Sequence, residues 1–116
     1  MKKCFFLSIL LVIILTGSCE KVTLEPDTDI PDNISYSLDI QPIFDANCTK
    51  CHGGSRSPDL RADYSYDALT KNGYIDTAEP DKSFLYTTLN GSHDSRANAK
   101  EKLVILGWIQ QGAKNN

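Results

Sequence analysis

A chain of 116 residues with 12 basic and 15 acidic side chains, net charge −3, has room for one domain and carries no basic excess. A nucleic-acid partner demands a basic patch against its phosphates, and nothing in this composition supplies one. No pairing of acid, base and nucleophile stands out either, so the composition offers no enzyme site and no small-molecule substrate.

The chain opens as a targeting segment. Lys2 and Lys3 precede an almost unbroken apolar run from Phe5 to Leu15, followed by the small residues Thr16-Gly17-Ser18 and then Cys19. That pattern is a secretory signal, too short to span a bilayer comfortably as a mature helix. Leu15-Thr16-Gly17-Ser18-Cys19 resembles a bacterial lipobox, with its large apolar residue one position earlier than in the commonest form. The resemblance implies cleavage before Cys19, acylation of that cysteine, and a lipoprotein held at a membrane and facing the periplasm or the cell surface. An ordinary signal peptide cut nearby is the simpler alternative.

Cleavage there removes 18 of the 116 residues and leaves 98, with all 15 acidic side chains and ten of the 12 basic ones, a balance of −5. The expected organisation is a signal peptide over 1–18, an acidic linker over 19–36 and one domain over 37–116. The linker carries Glu20, Glu25, Asp27, Asp29 and Asp32 against Lys21 alone, with Pro26 and Pro31 and no helical or strand period. It reads as an extended tether; a short ordered arm lying over the domain is the other possibility.

A first helix is expected from about Asp39, which suits the N-cap, with Pro42 early enough that its missing N–H costs nothing. Ile40, Ile43, Phe44 and Asn47 share one face at spacings of three and four. The helix runs into Cys48-Thr49-Lys50-Cys51-His52. Two cysteines three apart with histidine directly after match the haem-attachment pattern of c-type cytochromes. Residues three apart lie on one helix face, so both sulfurs can reach the vinyl groups of one porphyrin edge, and His52 can bind the iron as proximal ligand.

Three other readings use the same residues. A thioredoxin-like thiol pair belongs at a helix N-terminus, where the dipole lowers the thiol pKa, whereas here the helical signal comes first. A zinc site could recruit Cys48, Cys51, His52 and His93, although adjacent Cys51 and His52 are awkward on one tetrahedral ion. A Cys48–Cys51 disulfide would close a very short loop and stabilise little. The haem reading assigns every cysteine: Cys4 leaves with the signal, Cys19 takes lipid, and Cys48 and Cys51 take the cofactor.

Gly53 to Pro58 is turn-rich. Ser65 to Gly73 has a serine to cap a short helix and a glycine to stop it, with Tyr66 and Leu69 available to the haem edge. A third segment begins near Pro80 and carries Phe84, Leu85, Tyr86 and Leu89 at helical spacing, two or three turns long. The last helix starts with a capping box, Asn98 and Glu101, and places Val104, Ile105, Trp108 and Ile109 on one face. Gly107 allows another helix to approach closely, and Gly112 can end the element.

Ile40-Gln41-Pro42-Ile43-Phe44 before the haem motif, Ser83-Phe84-Leu85-Tyr86, and Gly107-Trp108-Ile109-Gln110-Gln111-Gly112-Ala113 follow one another in the order seen in small secreted class I-like cytochrome c domains of bacterial lipoproteins. The chain resembles that family over most of its mature length. The resemblance implies an all-α fold of about four short helices around one covalent haem c, attached outside the cytoplasm, passing single electrons between redox protein partners. It also implies that Pro58 offers its carbonyl to the second nitrogen of His52, that Leu60 packs beside it, and that Trp108 sits where the terminal helices cross, on Ile43 or Phe44.

One family feature is missing. Such domains use a methionine as the sixth iron ligand, and this chain has only Met1. His93 is the one other histidine, 41 residues after His52 and between the third and fourth helical segments. It is the candidate distal ligand. A vacant or water-bound site is the second possibility and would make a haem protein that binds gas or reduces peroxide; Lys, Asn or Tyr ligation is the third.

Overall fold

The computed structural model describes residues 29–116, and the expected signal segment and Cys19 lie outside the described residues. Within them the fold is all-α, with no strand. Four α-helices follow in chain order: α1 (Gln41–Asn47), α2 (Ser65–Thr70), α3 (Phe84–Leu89) and α4 (Ala99–Gln110). No helix among them is long and apolar enough to cross a membrane.

The first helical stretch begins earlier than its sequence suggested. A π-helical turn, Tyr36–Ile40, leads directly into α1, and its N-cap is Ser35, whose side chain accepts from Leu38 N. Asp39 sits inside that turn and reaches back instead, accepting from Ser35 N at 2.8 Å. The two residues thus exchange side-chain-to-backbone bonds as a capping pair does, and both satisfy donors the helix leaves orphaned. Pro42 falls within the first turn of α1, where a missing N–H is harmless.

The stretch expected to be tether up to residue 36 contributes to the core at its end. Ile34 and Tyr36 are buried, and Ile30 packs beside them. Polar groups fix this arm to the C-terminal end of α4: Gln111 Oε1 accepts from Ile34 N, and Gln111 Nε2 donates to Pro31 O, both at 2.8 Å. Gly107 therefore makes room for the arm and not for a crossing helix. A Cβ there would collide with Ile30 Cγ2 and come within 2.7 Å of Ile34 Cδ1. We predict that Gly107→Ala lowers stability by about 1–3 kcal/mol, the usual cost of overpacking, read from denaturant unfolding. An unchanged midpoint would show that the arm does not pack there.

α4 is built as expected. Asn98 Oδ1 accepts from Glu101 N at 2.9 Å and Glu101 Oε2 accepts from Asn98 N at 2.7 Å, completing the capping box. Ile105, Trp108 and Ile109 are fully buried, and Gly112, at φ +94°, ends the element in the left-handed region that glycine adopts without strain. Trp108 meets Tyr36 and Tyr66, with ring centres 5.1 and 6.4 Å away, and its indole N–H donates to Lys114 O. Those two tyrosines are its aromatic neighbours.

In α2 the serine does something other than cap. Ser65 is a buried residue of the helix, and its hydroxyl accepts from Tyr36 Oη at 2.7 Å while donating to Gln41 Oε1. Burial pushes the Tyr36 hydroxyl up to about 12, so it remains a proton donor in this chain. α3 is shorter than its apolar spacing suggested, six residues after a 3-10 turn at Pro80–Lys82. It buries Leu85 and Leu89 but leaves Phe84 mostly exposed against Tyr74.

Candidate functional site

α1 ends at Asn47, and the chain then tightens into turns that carry the Cys48–His52 motif. Cys51 N and His52 N both donate to Cys48 O, at 3.0 and 2.9 Å, so one further turn keeps the two cysteines three residues apart in a compact coil. Both are free thiols, Cys48 half-buried and Cys51 exposed. Burial pushes the Cys48 thiol up, and the charge of Glu101 adds to it, against a smaller opposing effect of Arg96. A thiol redox pair needs the reverse, a lowered pKa.

His52 is oriented from behind. Its Nδ1–H donates to Pro58 O at 3.1 Å, because a carbonyl can only accept. The neutral ring then keeps its lone pair on Nε2, the atom left for a metal. The loop that brings Pro58 round is held at both ends of its last stretch: Leu60 N donates to His52 O at 2.8 Å, and Leu60 O accepts from Gln41 Nε2 at 3.0 Å. Gln41 is the one residue of this arrangement that sequence reading missed as part of the site. Its signal was there, a glutamine at a position one residue after the buried Ile40 and two before Ile43.

His93 comes to the same place from the other side of the chain. Its N–H is held by Thr88 O at 3.0 Å at the end of α3, and it begins a short 3-10 turn, Asp94–Arg96. Ser92 Oγ lies 3.0 Å from its Nδ1, and no hydrogen bond among the described residues engages its Nε2. The rings of His52 and His93 are 6.4 Å apart, centre to centre. A metal–imidazole bond is about 2 Å and the ring centre lies about 1 Å beyond the nitrogen, so two rings on opposite sides of one metal stand about 6 Å apart.

Both histidines line a cavity of about 340 Å³ together with Cys48, Pro58, Leu60, Phe44, Leu69, Leu85 and Leu89. Its walls are mostly apolar, and its volume is that of an ordinary ligand site. Leu69 lines this cavity, whereas Tyr66 donates to Ala113 O and meets Tyr36 edge to face. Trp108 does not line it; the indole packs with Tyr36 and Tyr66. No group of three or more His, Cys, Asp or Glu side chains that could hold a bare ion occurs among the described residues. Paired thiols and a backed imidazole beside an apolar slot suit a covalently attached haem, and the second imidazole is placed where it could serve as a further ligand.

Asn47 links this region to the last helix, its amide donating to Glu101 Oε1 at 3.2 Å. Gln41 does the equivalent for the Pro58 loop. We predict that Gln41→Leu costs about 1–3 kcal/mol, because Leu60 O and the Ser65 hydroxyl proton lose their buried partners; thermal melts read it, and an unchanged melt would mean the loop is held without this side chain.

Comparison with family models, with curated proteins and with solved structures found no match.

Proposed function

We propose that this protein is a monohaem c-type cytochrome that passes single electrons between extracytoplasmic redox partners, held at a bacterial membrane by lipid on Cys19. Cys48 and Cys51 form the thioether links, His52 is the proximal ligand and His93 the distal one. The haem supplies one-electron iron chemistry; the chain positions the group, shields it and leaves one edge reachable. No proton-transfer group or substrate pocket is needed for that task, and the protein is read as a carrier and not an enzyme.

The observation that carries this reading is the 6.4 Å separation of the His52 and His93 rings on the wall of one apolar cavity that also takes in Cys48. Two residues 41 apart in sequence have no local reason to meet at that distance with neither Nε2 engaged in a hydrogen bond among the described residues. The Pro58 carbonyl adds to it by setting the His52 tautomer that a metal needs.

Export in a host able to mature cytochromes, followed by intact mass and a redox-resolved visible spectrum, tests the proposal. The expected product carries one covalent haem, with sharp reduced-state bands of a six-coordinate low-spin iron. A colourless product overturns it in favour of a haem-free zinc or thiol module. A haem-bearing product whose spectrum is five-coordinate supports instead a protein that binds gas or reduces peroxide.

A further inference from the structure

The loop that brings Pro58 behind His52 is closed by Arg61, a side chain that does not line the apolar cavity. Its guanidinium grips the Asp59 carboxylate twice, Nε donating to Oδ1 at 3.0 Å and Nη2 to Oδ2 at 2.6 Å. The same carboxylate accepts from Arg61 N at 3.2 Å, and the guanidinium carbon stands 4.6 Å from the centre of the Tyr64 ring. Carboxylate and ring together hold the planar group in one orientation.

That orientation sets the guanidinium against Gly54. A Cβ there would fall 2.7 Å from Arg61 Nη2, 3.0 Å from Cζ and 3.4 Å from Nε, so the guanidinium occupies the space that a side chain would need. Gly53 is seated as tightly on the motif turn, since its Cβ would fall 2.7 Å from Thr49 O. Arg61 therefore bridges the start of the loop, two residues after His52, to Asp59, the residue that follows Pro58. The bridge adds little stability, because the Arg61 side chain is 50% exposed and that of Asp59 23%. What it fixes is position.

Resting on the cytochrome reading above, we propose that Arg61 is a positioning residue for the proximal ligand, its guanidinium spanning the loop from Gly54 to Asp59 so that Pro58 O stays on His52 Nδ1–H. A carbonyl accepting from that N–H makes the imidazole a stronger donor to iron, and a stronger donor favours the ferric state. Opening the bridge lets the carbonyl drift and is expected to raise the potential. Loss of the cationic charge alone acts the other way, because a positive group near the iron disfavours the more positive ferric form. The two roles a guanidinium can play here thus have opposite signs.

The test uses the matured full-length protein in neutral detergent, with Arg61→Gln, which removes charge and planar fork, and Arg61→Lys, which keeps the charge alone. Intact mass and the visible spectrum first establish one covalent haem in each. A mediated redox titration then follows ferric iron as it takes one electron, with no bond made or broken. At the parent's midpoint the reduced-to-oxidised ratio is expected to rise about fivefold in both variants, about 40 mV at 59 mV per tenfold. Solvent exchange of the His52 Nδ1–H, followed by its proton resonance in the reduced state, is expected to quicken about tenfold, with the thermal melt nearly unchanged.

If Arg61→Gln yields no folded product, Arg61→Lys decides. An unchanged or lower potential overturns the proposal and leaves Arg61 a surface charge. A raised potential with the parental exchange rate overturns it as well, since the effect then bypasses Pro58. So does exchange that quickens only in step with a lowered melt, which is global opening. A product without haem overturns the cytochrome reading separately, at the first step.

Discussion

Replacing His93 by alanine is expected to turn a protein that resists carbon monoxide into one that binds it stoichiometrically when reduced. His93 is the only histidine besides His52, and the chain keeps no methionine beyond Met1, so the inventory of strong sixth ligands is one residue deep. On the proposed reading, carbon monoxide would have to displace that ligand in the parent protein. If the open state is populated at about 1%, apparent affinity is reduced about 100-fold, and the variant recovers that factor. A Soret titration of reduced parent and variant measures it, and added imidazole should restore the parental resistance. Equal binding by both proteins would remove His93 from the iron. The parent is also expected to hold the ferric state at lower potential than histidine–methionine haems do, since a second imidazole replaces the thioether that raises it.

The larger effect belongs to the motif cysteines. Cys48→Ser with Cys51→Ser is expected to abolish covalent haem and, with it, most of the folded population. A chain of this size has little apolar surface to bury, and the short α1, α2 and α3 are each below the length at which helices persist alone. Phe44, Leu60, Leu69, Leu85 and Leu89 belong to the core and also line the cavity. A cofactor filling that space would join α1, the Pro58 loop and α3 into one core, and small domains lean on such staples for several kcal/mol. Exported protein should show no covalent mass increment and a flattened thermal transition by circular dichroism. A variant that melts like the parent would mean that the polypeptide packs adequately by itself and that the cofactor is a passenger.

What could be read in the sequence depended on how local the physics was. The Asn98–Glu101 box, the glycine stop at Gly112 and the buried stripe of α4 are settled within four residues, and all three are present in the fold. The link between His52 and Pro58 followed from a resemblance and is met as a hydrogen bond. Long-range choices were harder. Ser65 looked like a cap because serines usually are, yet the buried Tyr36 and Gln41 outcompete the helix end for its hydroxyl. Gly107 advertises a close approach without saying by what, and only the three-dimensional arrangement gives the answer, Ile30 and Ile34. Asp39 was one turn too late as a cap because the π-helical turn at Tyr36–Ile40 has no periodicity signal in five residues. The meeting of His52 with His93 lies beyond any local rule, since it depends on α3 and its following turn folding back over the motif.

The arm clasped by Gln111 and Gly107 bears on how far the domain could reach under the proposed lipid anchor. Were Cys19 lipidated as proposed, about a dozen residues would separate it from Pro31, where Gln111 grips the chain, a span of at most about 40 Å. A domain held that closely would swivel above its own membrane leaflet instead of shuttling across a wide compartment. Electron donors and acceptors would then have to come to that membrane, or live in it.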